Sequence, residues 1–251
     1  MLVSKKFDKS LLQIACFILV LIGVMYSIAI NSFEKGKFTC NKYILNTYLY
    51  IILAFNLMII INLVLEHYKV MFPLSSMILF GLFLINVGVI FLLHFIDPEK
   101  VVLKHLVWSV FVLIMSLIIY PLYVTSDKKI VMSSLFTTLF ITVVLSVFAY
   151  TKPELISLKL GPILFFALLI IIVMELFLLF VFRNKLGSNS KIFRAISYFV
   201  IFIFMGFILY DTKRLQINAK ECVKADYIKE SMKLFLDILN IFVRLLGLGR
   251  R

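Results

Sequence analysis

An all-α fold, a polytopic bundle of transmembrane helices, is what this sequence predicts. Three observations carry the prediction. Of the 251 residues, 63% are hydrophobic and the mean hydropathy is +1.09, whereas soluble domains carry roughly 45–50% apolar residues. The charged residues, 16% of the chain, fall in short clusters between apolar runs. Those runs are long enough to cross a bilayer as helices, which takes about 20 residues. They are also continuously apolar, which excludes a barrel, because barrel strands alternate over about ten residues.

Eight runs qualify: 11–30, 44–65, 71–96, 106–125, 130–150, 161–182, 195–212 and 227–246. The first follows Lys5, Lys6 and Lys9 and ends near a small-residue stretch, Ser27–Ala29, that resembles a signal cleavage site. A removed signal and a retained helix both fit. Its apolar core exceeds the usual length of about 7–15 residues, so a retained helix is expected. Residues 1–43 thus read as an N-terminal hydrophobic segment with its loop, and 44–251 as the membrane domain.

The second and third runs hold Asn56, Asn62 and Asn86. These are uncharged, and interhelical hydrogen bonding accounts for them. The sixth contains Glu175 in IIIVMELFLLF; its apolar flanks require either a proton or a polar partner. The connections NSFEKGKFTCNK, DPEK, SDKK, TKPEL and RNKLGSNSK supply polar punctuation. None could form an extramembrane domain, so any chemistry lies within the membrane. Glycine is sparse, so helix packing is expected to rest on bulky side chains.

The net charge of +13 is explained by Lys and Arg in loops facing lipid headgroups. No basic stretch is interleaved with aromatics, so nucleic acid is not an expected partner. Orientation stays open: 13 Lys/Arg flank the spans on one side and 11 on the other. The cysteines Cys16, Cys40 and Cys222 form neither a CxxC pair nor a zinc-spaced set. A Cys40–Cys222 bridge requires both loops on one side, which the sequence leaves undecided. His67, His94 and His105 lie at span ends and read as interfacial residues, not ligands.

The last segment differs. Glu230, Lys233, Asp237, Asn240 and Arg244 recur at spacings of 3, 4, 3 and 4, which is one face of a helix. Such a stripe faces the bundle interior or lies flat among headgroups; its narrowness favours the interior. If the seventh helix continues to about Ala219 and the eighth starts near Lys229, Asp211 and Asp237 each lie eight residues, about 12 Å, from the hairpin end. The two carboxyls would then be level, and Lys213 and Arg214 would snorkel or line a wet vestibule. In low dielectric such a pair shares a proton and becomes a pH-dependent latch. Carboxylate oxygens also suit transient Ca²⁺. The structural alternatives are ion pairs of Asp237 with Lys233 or Arg244, and of Asp211 with Lys213 or Arg214.

The stretch Gly206, Phe207, Tyr210, Asp211, Thr212, followed by Leu234, Asp237, Ile238, Asn240 and Phe242, resembles the transmembrane Bax inhibitor motif (Bax inhibitor and lifeguard) family. The likeness extends from about His105 to Leu246 and includes SSLFTTLFITVVLSVFAYTK and LKLGPILFFALL. It implies seven family-like helices, with 11–30 as an added hydrophobic segment, and a pH-sensing pair at Asp211 and Asp237. It also implies a Ca²⁺ leak from internal stores and suppression of apoptosis. Tyr210, Glu175, Lys233, Asn240 and Arg244 would be supporting polar residues. The implied partners are membrane lipids, Ca²⁺ as the permeating ion and membrane-bound apoptosis regulators, with no resident cofactor. The implied location is the endoplasmic reticulum or Golgi, otherwise the plasma membrane. Two departures stand out. Met115 occupies the place where family members often carry an acid, and no arginine lies inside the early helices.

Two rival functions remain. One is a non-conducting membrane protein that restrains cell death by binding partners. The other is an intramembrane aspartyl protease, a dyad chemistry that needs a Gly-x-Gly-Asp loop where this chain has Leu234, Phe235, Leu236 and Asp237. No enzyme is expected.

Overall fold

The computed structural model describes residues 2–70, 75–181 and 191–250. Among them are eight α-helices: α1 Leu2–Asn31, α2 Tyr43–His67, α3 Ser76–Phe95, α4 Val101–Val124, α5 Lys128–Thr151, α6 Leu160–Val181, α7 Lys191–Lys220 and α8 Tyr227–Gly249. Two short strands, β1 Phe33–Glu34 and β2 Lys37–Phe38, pair antiparallel between α1 and α2. Helices α1–α5 and α7 are long and apolar enough to cross a membrane. The protein is a polytopic helical membrane protein. The connection RNKLGSNSK falls mostly outside the described residues, as do 71–74, where the third run was expected to begin.

Several helices outrun the apolar segments that announced them. α7 extends beyond 195–212 at both ends, to Lys191 and Lys220, because nothing in Lys213–Lys220 breaks a helix. α4 starts at Val101 rather than 106. A bilayer dictates how much apolar surface a span needs, not where its backbone hydrogen bonding stops.

The chain divides into two compact units. The first comprises residues 1–125 and 221–232. Within it α1 packs on α2, α2 on α4 and α3 on α4. The β1–β2 turn places Lys35 and Gly36 at positive φ, the pairing that closes a two-residue hairpin. Gly36 adopts this conformation without steric cost. Cys40 and Cys222 are joined by a disulfide, with Cα atoms 5.9 Å apart; that pairing had been left open. Nearby, Tyr227 packs edge-on against Phe38 and Tyr43, and Tyr50 edge-on against Trp108.

Lys104 is fully buried. Its Nζ donates to the Ile96 carbonyl at 2.9 Å and to Asp226 Oδ2 at 2.5 Å. Asp226 Oδ1 in turn accepts from the Lys229 backbone N–H at 3.1 Å, capping the first turn of α8. His105 is held between Tyr50 Oη and the Val101 carbonyl, each at 2.7 Å. It is a packed structural side chain more than an interfacial one. The asparagines do not match expectation either. Asn62 Nδ2 donates to Met58 of its own helix, and the buried Oδ1 atoms of Asn56, Asn62 and Asn86 have no partner.

The second unit comprises residues 126–220 and 233–251, where α5 and α6 each pack on α7. Two glycines bring α6 and α7 close. A Cβ on Gly206 would stand 2.9 Å from the Leu164 side chain, and one on Gly161 would stand 2.5 Å from Tyr210 Cζ. Packing here therefore depends on absent side chains, as small residues allow in membrane helices, and not on bulk alone. We expect Gly161→Ala to displace the Tyr210 ring and destabilise the unit by about 1–3 kcal/mol. Thermal unfolding of the detergent-solubilised protein would check this.

Candidate functional site

The site lies in the second unit, between α7 and α8. Asp211 precedes the last residue of α7 by nine positions, and Asp237 follows the first residue of α8 by ten. At 1.5 Å per residue these are depths of about 14 Å and about 15 Å. The two carboxyls come within hydrogen-bond reach of each other. Asp237 is buried, and its Oδ2 has no hydrogen-bond partner. A hydrogen bond between two carboxyls requires a proton on one of them, since ionised carboxylates only accept.

Three of the groups proposed as structural partners, Lys213, Arg214 and Arg244, hydrogen-bond to other residues. Lys213 Nζ donates to the Ile156 carbonyl. Arg214 Nη1 donates to Tyr210 Oη at 3.3 Å, one turn away on the same helix. Tyr210 itself lies over Gly161, so the residue before Asp211 is fixed by α6. Arg244 does not pair with Asp237. Its two guanidinium nitrogens grip both oxygens of Glu175 on α6, at 2.5 and 2.9 Å. Glu175 thus has the polar partner its apolar flanks demand.

Arg244 is seven residues beyond Asp237, two turns along α8 and on nearly the same face. The bidentate grip on Glu175 therefore sets the rotation of the face that carries Asp237. Asn240, between them, donates to Leu236 within α8 at 2.8 Å; it is not drawn to the carboxyl pair by that bond. Lys233 is half-buried on the same helix. Most α8 side chains from Tyr227 to Leu246 are buried, as expected of an interior helix and not of one lying flat in the headgroups.

Among the described residues no cluster of three or more His, Cys, Asp or Glu side chains could hold a metal. Two carboxyls fall well short of the six to eight oxygens a resident Ca²⁺ takes. The arrangement can bind a proton and can offer oxygens to a passing cation.

The sequence had not singled out Gly161 as the seat of Tyr210, nor the Lys104–Asp226 bond that anchors the start of α8. The only local signal for the latter is an aspartate directly before the helix, a common N-cap.

Comparison with known proteins agrees with these motifs. The chain is 42% identical over 89 residues to Protein LIFEGUARD 1 of Arabidopsis thaliana, covering 36% of this chain and 34% of that one. It is 36% identical over 131 residues to an Arabidopsis thaliana BI1-like protein, covering 50% and 47%. It is 31% identical over 136 residues to the Golgi anti-apoptotic protein of Vaccinia virus (strain Lister), covering 49% and 54%. The matches thus span from about a third to about half of these relatives' lengths. The family described as inhibitor of apoptosis-promoting Bax1 matches residues 40–249, a range that takes in the α7–α8 carboxyl pair, the Glu175–Arg244 bridge and the disulfide. This chain belongs to the Bax inhibitor family.

Proposed function

We propose that this protein is a suppressor of cell death in an internal membrane that lets Ca²⁺ leak out of the enclosed store, gated by the Asp211–Asp237 pair. The observation that carries the reading is the buried Asp237 carboxyl in hydrogen-bond contact with Asp211 at matching depth. With one shared proton the pair bridges α7 and α8. With none, like charges repel in low dielectric and the helices part. The unpartnered Oδ2 of Asp237 is then an oxygen available to a cation.

Within seven residues of the pair along the same helices, the other charged side chains are Lys213 and Arg214 on α7 and Glu230, Lys233 and Arg244 on α8; α6 carries Glu175. On α5 the Asp, Glu, Lys and Arg residues are Lys128 and Lys129, both in its first turn. Glu175 neutralises Arg244, so the pair does not feel a bare guanidinium. The placement in an endomembrane, Golgi or endoplasmic reticulum, follows from the name of the Vaccinia relative and from family likeness. Suppression of apoptosis follows from the names of the family and of that relative.

The test is Ca²⁺ efflux from liposomes holding the purified protein, across a pH series. We expect efflux to vary with pH in the natural protein. Asp237→Asn and Asp211→Asn should each flatten that dependence, because an amide hydrogen-bonds without titrating. Efflux no greater than in empty liposomes at every pH would remove the conducting role and favour a protein that acts by binding membrane partners.

A further inference from the structure

A groove at one end of the second unit collects hydrogen-bond donors that the fold does not use. It has a volume of about 290 Å³ and lies between the first three turns of α5 and the last two turns of α8. Its polar lining is Lys129, Ser133, Ser134 and Thr137. Lys129, Ser133 and Thr137 recur every four residues, which aligns them along one exposed line of α5. Ser134, beside them, is only 6% exposed. Ile130, Leu245 and Gly249 complete the wall. Gly249 lets the end of α8 close on α5, because a Cβ there would stand 2.6 Å from Ile130 Cγ2.

Deeper along α5 the hydroxyls turn back to their own helix. Thr138 donates to the Ser134 carbonyl and Thr142 to the Thr138 carbonyl, each at 2.8 Å, a common recourse of a hydroxyl in a membrane helix. Among the described residues, the side chains of Lys129, Ser133, Ser134 and Thr137 have no such partner. At 1.5 Å per residue the line from Lys129 to Thr137 runs about 12 Å, whereas the headgroup layer is about 5–8 Å deep on each side. The donors therefore reach from the headgroups into the hydrocarbon, where an unpaired hydroxyl is costly. No carboxylate is part of the lining. Asp127, the nearest along the chain, caps α5 by accepting from the Lys129 backbone N–H at 2.7 Å.

We propose that this groove binds one phospholipid of net negative charge. Phosphodiester oxygens accept from Lys129 and Ser133, ester carbonyls accept from Ser134 and Thr137, and an acyl chain lies against Ile130 and Leu245. The ligand is rich in acceptors because every polar group of the lining donates and its one charge is positive. It is a lipid and not a free phosphate because half of the donor line lies below the headgroups. The same stretch of α5 also exposes Met132 and Phe136, at 51% and 65%. A zwitterionic headgroup would bring an ammonium toward Lys129 with no carboxylate to receive it, so an acidic headgroup is preferred.

The proposal requires that α5 crosses a membrane and not that the protein conducts, so it stands or falls apart from the Ca²⁺ reading. The experiment purifies the full chain in detergent and adds phosphatidylglycerol or phosphatidylcholine with the same acyl chains. Native mass spectrometry then counts the lipids retained. We expect one phosphatidylglycerol, held in clear preference to phosphatidylcholine. Lys129→Met should weaken its retention by about tenfold or more, the loss of a charge-assisted hydrogen bond. Ser133→Ala with Thr137→Ala, at exposed positions that folding tolerates, should weaken it severalfold. Lys128→Met, whose side chain is not part of the lining, should leave it unchanged. Phosphatidylglycerol should also raise the thermal unfolding midpoint of the natural protein, and not that of the variant combining Lys129→Met, Ser133→Ala and Thr137→Ala. No retained lipid, or equal retention by the natural protein and this triple variant, would overturn the proposal. Equal retention of the two lipids would overturn the acidic headgroup. Displacement of the lipid by water-soluble glycerol phosphate at the same concentration would overturn the assignment to a lipid.

Discussion

Lys104→Ala should be among the most destabilising single changes in the first unit, lowering its stability by about 3–5 kcal/mol. The ammonium is fully buried and bonds both the last carbonyl region of α3, at Ile96, and the Asp226 carboxylate. Removing it leaves that carboxylate, only 15% exposed, without its cation. The truncation also opens a void where the lysine stem packed. The measurement has a built-in reporter, because Trp108 is the one tryptophan of the chain and lies one turn along α4 from Lys104. It is buried edge-on against Tyr50. Its fluorescence during thermal unfolding in detergent should show a markedly lower midpoint for Lys104→Ala. Lys104→Met with Asp226→Asn should recover much of the loss, since that pair removes both charges, fills the void and keeps an N-cap side chain. A double variant no better than Lys104→Ala would mean that the ion pair is not what fixes the start of α8 within this unit.

Arg244→Ala should cost the second unit about 3 kcal/mol, at the lower end of the same range because both partners are partly exposed. Glu175 would lose two charge-assisted hydrogen bonds in an apolar setting and would have to take up a proton. Arg244→Lys should rescue little, because an ammonium cannot reproduce the two parallel bonds of a guanidinium. Glu175→Met with Arg244→Met should be far milder than either single truncation. In unfolding assays this order, double milder than single, marks an ion pair whose value lies mainly in not being half-broken. If conduction follows the proposed route, Arg244→Ala should also broaden the pH response of Ca²⁺ efflux, because α8 would no longer be held at one rotation relative to α6.

Much of the architecture was legible along the chain. An apolar run of about 20 residues is a local property, and a bilayer acts on it segment by segment. The helices α1–α8 could therefore be placed without knowing what each would touch. The depth of Asp211 and Asp237 could be read the same way, from residue counts to the α7–α8 turn and a fixed rise per residue. Charge counting failed to orient the chain because 13 against 11 is too small a bias.

What the amino-acid order determined by itself is the set of spans, the polar stripe of α8 and the height of its carboxyl. Only the tertiary structure decided the partners: Cys40 with Cys222 across 182 residues, Arg244 with Glu175 rather than Asp237, Lys104 with Asp226, and Tyr210 over Gly161. The physical reason is that hydropathy and helical periodicity are summed over neighbours in the chain. A bond between distant side chains depends on which helix faces are turned together, and a one-residue rotation of about 100° changes that without altering any apolar run.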